Sequence, residues 1–229
     1  MRLILCAVLT GAALVLSGCG GGGSAASPER VPPLPVSAID GCPAGGLPGV
    51  FDRMLPRNGS HDADLLGQAV LIETNRARCG NGLEPLTGDG SLQLAADLHA
   101  RDMAQLRFFS HDSPVPGRET MMARARQAGA GYQWVSENII EARYMAYESR
   151  RRYEVIDPAR CEFAYSDGTP IAPHTYASLA REVIGRWMNS PGHRRNILHR
   201  THRAHGFAIA PNSVRALCGG LFGVQVMGR

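Results

Sequence analysis

The 229-residue chain contains no lysine, so all 24 of its basic side chains are arginine, set against 20 Asp and Glu for a net charge of +4. Schiff-base and lysine general-base chemistry are thereby excluded, while guanidinium groups suited to phosphates and carboxylates remain. Aromatic residues are scarce, at 6 %. The arginines are scattered except for the RRR run 150–152, without the aromatic interleaving of a single-strand nucleic-acid platform. Nucleic acid is therefore not an expected partner, and the run reads as a solvated loop. No C-x-x-C spacing occurs, which argues against a zinc–thiolate site. No G-x-S-x-G elbow occurs either, and neither Ser110 nor Ser190 stands in a turn of that type, which argues against a Ser/His/Asp hydrolase. No apolar run approaches the roughly 20 residues needed to cross a bilayer.

What is present at the start is MRLILCAVLTGAALVLSGC, a charged first turn, an apolar stretch of signal-peptide length and small residues before a cysteine. Residues 1–18 read as an export signal. Leu16, Ser17, Gly18 and Cys19 resemble a bacterial lipobox, in which the cysteine is acylated and becomes the mature N-terminus; palmitate on Cys19 would anchor the chain to a membrane. Gly20 rather than Asp follows, which favours the outer membrane if the cell is Gram-negative. GGGGSAASPERVPPLP cannot bury apolar surface and is expected to act as a tether, so residues 19–60 are assigned to tether and extension and 61–229 to one domain. Cys42, Cys79, Cys161 and Cys218 form an even set that suits two disulfides in an oxidising compartment, with three pairings open.

HDADLLGQAVLIETNRARCGNGL predicts a helix capped by Asp62 or Asp64 and stopped at Gly80. GDGSLQLAADLHARDMAQLRFF predicts a second, capped by Ser91, with Leu92, Ala95, Ala96, His99, Met103 and Leu106 on its apolar face. RETMMARARQAGA predicts a weaker third, closed by Gly129 or Gly131, and YASLAREVIGRWMNS a fourth, ended by Pro191 and Gly192. Strand signals fall at 135–140, 206–210 and 221–226, the last two forming a hairpin. Together these predict an α+β fold, a three-layer α-β-α sandwich around a small, mostly antiparallel sheet. Residues 141–176 form a long polar insertion that holds Cys161.

The residues that could carry chemistry are His111 in FFSHDSP, Glu137 in VSENII and His193 in NSPGHRRNIL. A glutamate inside an apolar strand demands a donor or cation opposite it, and a histidine is a natural one. Two imidazoles and a carboxylate could hold a divalent metal such as zinc, the carboxylate ligating or orienting a histidine. Residue types alone favour the plainer alternative, a hydrogen-bonded cluster tying strand to helices. His99 reads as a satisfied core histidine, and His199, His202 and His205 as exposed loop residues. Phe108 and Phe109 are expected to anchor the helix end, Trp187 and Met188 to belong to the core, and Asn138 and Asn196 to serve structure. Arg194 and Arg195 are expected to pair with carboxylates.

The blocks NRARCGNGLEPLTGDGSLQLAADLHARDMAQLRFFSHDSP, SENII, GRWMNSPGHRRNIL and GFAIA, in this order and spacing, resemble the bacterial branch of the CAP superfamily, the cysteine-rich secretory, antigen 5 and pathogenesis-related proteins, over residues 65–226. The resemblance implies an α-β-α sandwich with a surface cleft lined in many members by two histidines and two glutamates. His111, Glu137 and His193 match three of these; the second glutamate has no counterpart, since Met188, Asn189 and Ser190 follow Trp187. It further implies an extracellular or envelope module that binds a lipid or a protein ligand. The alternative is a metal-dependent hydrolase with a dication on His111 and His193 and Glu137 as base.

Overall fold

The computed structural model describes residues 42–56, 60–212 and 218–229. The expected export signal, the lipidation site Cys19 and the tether up to residue 41 lie outside the described residues. Among those described, no helix is long and apolar enough to cross a membrane.

Five α-helices flank a four-stranded sheet among the described residues: α1 (Ala63–Cys79), α2 (Gly90–Leu106), α3 (Met121–Gln127), α4 (Tyr176–Met188) and α5 (Pro191–Ile197). The sheet runs β1 (Thr87–Gly88), β5 (Ala204–Asn212), β6 (Gly220–Gly228), β2 (Val135–Arg143), antiparallel except between β1 and β5. The predicted fold class is the one observed.

Local chemistry sets the ends. Asp62 caps α1 by accepting from the Leu65 amide at 3.0 Å, and Gly80 closes it. The cap of α2 is Asp89 rather than the expected Ser91. Its carboxylate takes the Ser91 and Leu92 amides at 2.9 and 3.0 Å, which puts Ser91 inside the first turn. Thr175 and Ser178 form a capping box on α4. Pro191, expected only to end that helix, also opens α5, because its fixed φ suits a first helical position.

Strand alternation divides the core into two layers. Val135 and Ile139 of β2, Ala204, Ala208 and Ala210 of β5 and Phe222, Val224 and Val226 of β6 pack on α2 and α3. Ile140 and Ala142, Phe207 and Ile209, and Leu221 and Met227 face the layer of α1, α4 and α5. The α2 backbone lies directly on β5: a Cβ at Gly206 would stand 2.1 Å from the Gln93 nitrogen. On the other side, buried Arg78 donates to the carbonyls of Glu84, Ile197 and His199 at 2.9, 2.7 and 3.0 Å, pinning the chain that leaves α5.

Several expectations are corrected. Leu106 and Phe109 are exposed, where α2 ends in a left-handed Arg107 (φ 59°); Phe108 packs on the core, and Phe109 keeps one contact with it, stacking on Phe222 at 6.0 Å. His202 and His205 are buried rather than exposed, and His199 is half-buried. The His-rich run leads straight into β5, whose pleat turns His205 inward, while His202 stacks on Trp134 at 5.1 Å and meets Ser136 Oγ at 2.9 Å. The insertion contains a hairpin of its own, β3 (Tyr153–Asp157) with β4 (Glu162–Tyr165). Of the three pairings open to the four cysteines, the structure shows Cys42–Cys79 and Cys161–Cys218, the second tying the insertion to the start of β6.

Two outcomes follow from this packing. Gly206→Ala should cost about 3 kcal/mol or prevent folding, since helix backbone rather than a movable side chain occupies the space; a urea midpoint close to the parent's would contradict the close approach. Burial pushes His202 and His205 down from 6.5 to about 3. Between those values the unfolded chain binds more protons than the folded one. Stability is therefore complete above pH 6.5 and falls as pH drops toward 3, by at most about 1.4 kcal/mol per pH unit for each imidazole. His202→Gln should accordingly lose less Tm between pH 7 and pH 5 than the parent, and an equal loss would refute this account.

Candidate functional site

Consecutive strand residues point to opposite faces, and SENII exploits this: Glu137 faces the α2–α3 layer and Asn138 the α1–α4–α5 layer. Each holds one of the two expected histidines. Glu137, buried completely at its side chain, takes His111 Nδ1 on Oε1 at 2.9 Å. Asn138, equally buried, donates to the His193 carbonyl at 3.3 Å. His193 also sits over Trp187, ring centres 6.3 Å apart. Burial lowers the His193 imidazole below its ordinary value, with a smaller contribution from His111.

The far side of Glu137 is closed by residues that sequence reasoning missed. Arg124, on α3 and buried, donates to Oε2 at 2.7 Å and to the His111 carbonyl at 2.9 Å from the same nitrogen, and its other terminal nitrogen reaches the Arg118 carbonyl at 2.8 Å. His99 on α2 stands 3.7 Å from Oε1 and donates through Nε2 to the Ser110 carbonyl at 2.9 Å, so it is buried as expected and belongs to the polar cluster around Glu137. Desolvation lowers His99 despite the neighbouring carboxylate, which keeps it neutral. A signal for Arg124 was present: Met121, Arg124, Ala125 and Ala128 share one helical stripe, placing an arginine where an apolar residue is usual.

Desolvation alone would raise the Glu137 carboxyl. The His111 hydrogen bond, together with the charge of Arg124, outweighs it and holds the group below the usual carboxylate range. An ionised carboxylate can only accept, so His111 donates through Nδ1 and turns Nε2 away from Glu137.

On the opposite layer a chain of side-chain bonds fixes α5. Gln225 donates to Thr74 at 3.0 Å, Asn138 to Gln225 at 3.0 Å, and Asn196 to Asn138 at 2.9 Å and to the Glu137 carbonyl at 3.1 Å. Asn138 and Asn196 are thus structural, as expected, through each other rather than through turns. Trp187 is in the core and donates to the Ile139 carbonyl, with Met188 packed beside it. Arg194 and Arg195 are exposed, and among the described residues neither forms the expected ion pair.

The sandwich and the two disulfides thus frame a strand whose neighbouring residues Glu137 and Asn138 hold His111 and His193. The chain belongs to the cysteine-rich secretory protein (CAP) family, which it matches over residues 71–226. YkwD of Bacillus subtilis (strain 168) is 30 % identical over 130 residues, covering 57 % of this chain and 37 % of the relative. An SCP-domain extracellular protein from Bacillus anthracis str. Ames superposes with a TM-score of 0.52 at 22 % identity, over 77 % of this chain and 44 % of the other. An outer surface protein from Borrelia burgdorferi gives 0.50 at 15 % identity, over 75 % and 98 %. The chain thus spans less than half the length of either Bacillus protein, and the two structural likenesses show the shared fold.

Removing the cation while leaving the buried anion should be costly. Arg124→Met is expected to lose about 3–5 kcal/mol of stability, and Arg124→Met with Glu137→Gln to recover a large part of it. Urea unfolding of both variants checks this, and a double variant no better than the single would show that the pair carries no coupling.

Proposed function

We propose that the chain is an exported, membrane-tethered binding module of the cell envelope, anchored through Cys19, whose cleft presents imidazoles to a ligand and performs no hydrolysis. The observation that carries this reading is the engagement of Glu137: Oε1 faces His111 and Oε2 faces Arg124, so the carboxylate is not free to deprotonate water. The second carboxylate of the resembled cleft has no counterpart here. A catalytic zinc site takes three protein ligands and leaves a position open for water. His111 and His193 supply two, and among the described residues no group of three or more His, Cys, Asp and Glu is placed to hold a metal. The donor set does not fit a resident catalytic metal. What the site offers is the Nε2 edge of His111, oriented by the Nδ1 hydrogen bond to Glu137.

A ligand of lipid or protein character is supported by an apolar cavity of about 630 Å³ in the insertion, walled by Met145, Phe163, Pro170 and Ile171. Two disulfides suit an oxidising compartment. The likeness to proteins described as extracellular and outer-surface supports the same location.

Calorimetric titration of zinc into a chain starting at Cys42, with casein hydrolysis followed in parallel, tests the reading. The expected result is no saturable one-to-one site and no zinc-dependent cleavage. A site abolished by both His111→Ala and His193→Ala, accompanied by cleavage that Glu137→Gln removes, would replace the binding role with the hydrolase.

A further inference from the structure

At the other end of β2 from Glu137, six residues or about 20 Å along the strand, the insertion leans over α4 and encloses a second cavity of about 490 Å³. Its lining is charged and aromatic: Arg143, Arg150, Arg151 and Arg186 with Tyr147 and Tyr153, together with Glu141, Glu148 and Glu182. The carboxylates are already engaged. Glu148 pairs with Arg151 at 3.0 Å, Glu182 with His174 at 2.9 Å and with Arg186 at 3.4 Å, and Glu141 accepts from Asn212 at 3.4 Å. Arg143 and Arg150 are different. Both are exposed, and among the described residues neither has a carboxylate partner. Arg143 lies 4.9 Å from the centre of the Tyr147 ring, Tyr147 packs on Tyr153 at 4.6 Å, and Tyr153 remains 43 % exposed.

Arg150 is held at φ 71°, a left-handed conformation that glycine adopts without penalty and arginine rarely does. The fold at this position would be served better by glycine, yet the sequence keeps a guanidinium there, at the mouth of a cavity with a second unpaired guanidinium and an open tyrosine face. Guanidinium groups match oxyanions with paired donors, and a tyrosine face takes a planar ring.

We propose that this cavity is a binding site for a small oxyanion, phosphate or carboxylate, carried on a planar ring, with Arg143 and Arg150 on the oxyanion and Tyr153 stacked on the ring. The site is separate from the histidine cleft, and its test does not depend on it. Calorimetry at low ionic strength with phenyl phosphate, benzoate and inorganic phosphate reads it directly. One of the aromatic anions should bind with one-to-one stoichiometry and more tightly than inorganic phosphate, and the tighter of the two names the oxyanion. Arg143→Gln and Arg150→Gly should each weaken it roughly tenfold, the loss of one charge-assisted contact, and Tyr153→Ala should abolish the preference over inorganic phosphate. Arg150→Gly removes the left-handed strain, so its Tm should equal or exceed the parent's; weakened binding in a stabilised variant separates ligand contact from misfolding. Absence of saturable binding by both aromatic anions, or affinities unchanged in the two arginine variants, would overturn the proposal.

Discussion

The architecture of the cleft depends on one ion pair, Arg124 with Glu137, neither of which keeps more than a trace of exposed side-chain surface. Taking two charges out of water is tolerable only when each meets the other with good geometry and their remaining positions are filled. Here Arg124 also collects the carbonyls of His111 and Arg118, while Glu137 also collects His111 itself. The pair therefore fastens α3 to β2 and at the same time draws the stretch after α2 down onto the strand. Its electrostatic result matters as much. The carboxylate that would otherwise attract a cation is neutralised from within, by Arg124 and the His111 hydrogen bond.

The other half of the cleft is held without charge. Thr74, Gln225, Asn138 and Asn196 form a line of neutral hydrogen bonds through α1, β6, β2 and α5, and the complete burial of the first three makes each partner necessary to the next. The two adjacent residues Glu137 and Asn138 are the meeting point of an ionic layer and an amide layer. The pleat of a single strand thus sets the placement of two histidines more than fifty residues apart in sequence.

Much of this was legible in the sequence because it obeys local rules. Alternation in VSENII and helical spacing in α1, α2 and α4 are signals that the core enforces, and a glutamate in an apolar strand announces that a partner must exist. Arg124 shares an apolar stripe of α3, but that helix is only seven residues long, and a stripe on it says nothing of which strand residue the guanidinium meets. Ser91 and Asp89 are both good caps two residues apart, and only the backbone decides between them. His202 and His205 lie in a polar run with no apolar alternation, so their burial is imposed by tertiary packing on Trp134, Ser136 and β6.

The two disulfides divide the chain into covalently closed and open stretches. One ring runs from Cys42 to Cys79 and the other from Cys161 to Cys218, and they do not overlap. The second encloses α4, α5 and β5, and with them His193; closing a ring of that length removes about 4 kcal/mol of chain entropy from the unfolded state. Residues 80–160, carrying His99, His111, Arg124 and Glu137, lie outside both. The cleft thus joins one wall restrained by covalent topology to another restrained only by packing and a buried ion pair. When the domain is pulled or heated in oxidising surroundings, it is the His111 wall that can travel far, while His193 stays leashed to the insertion.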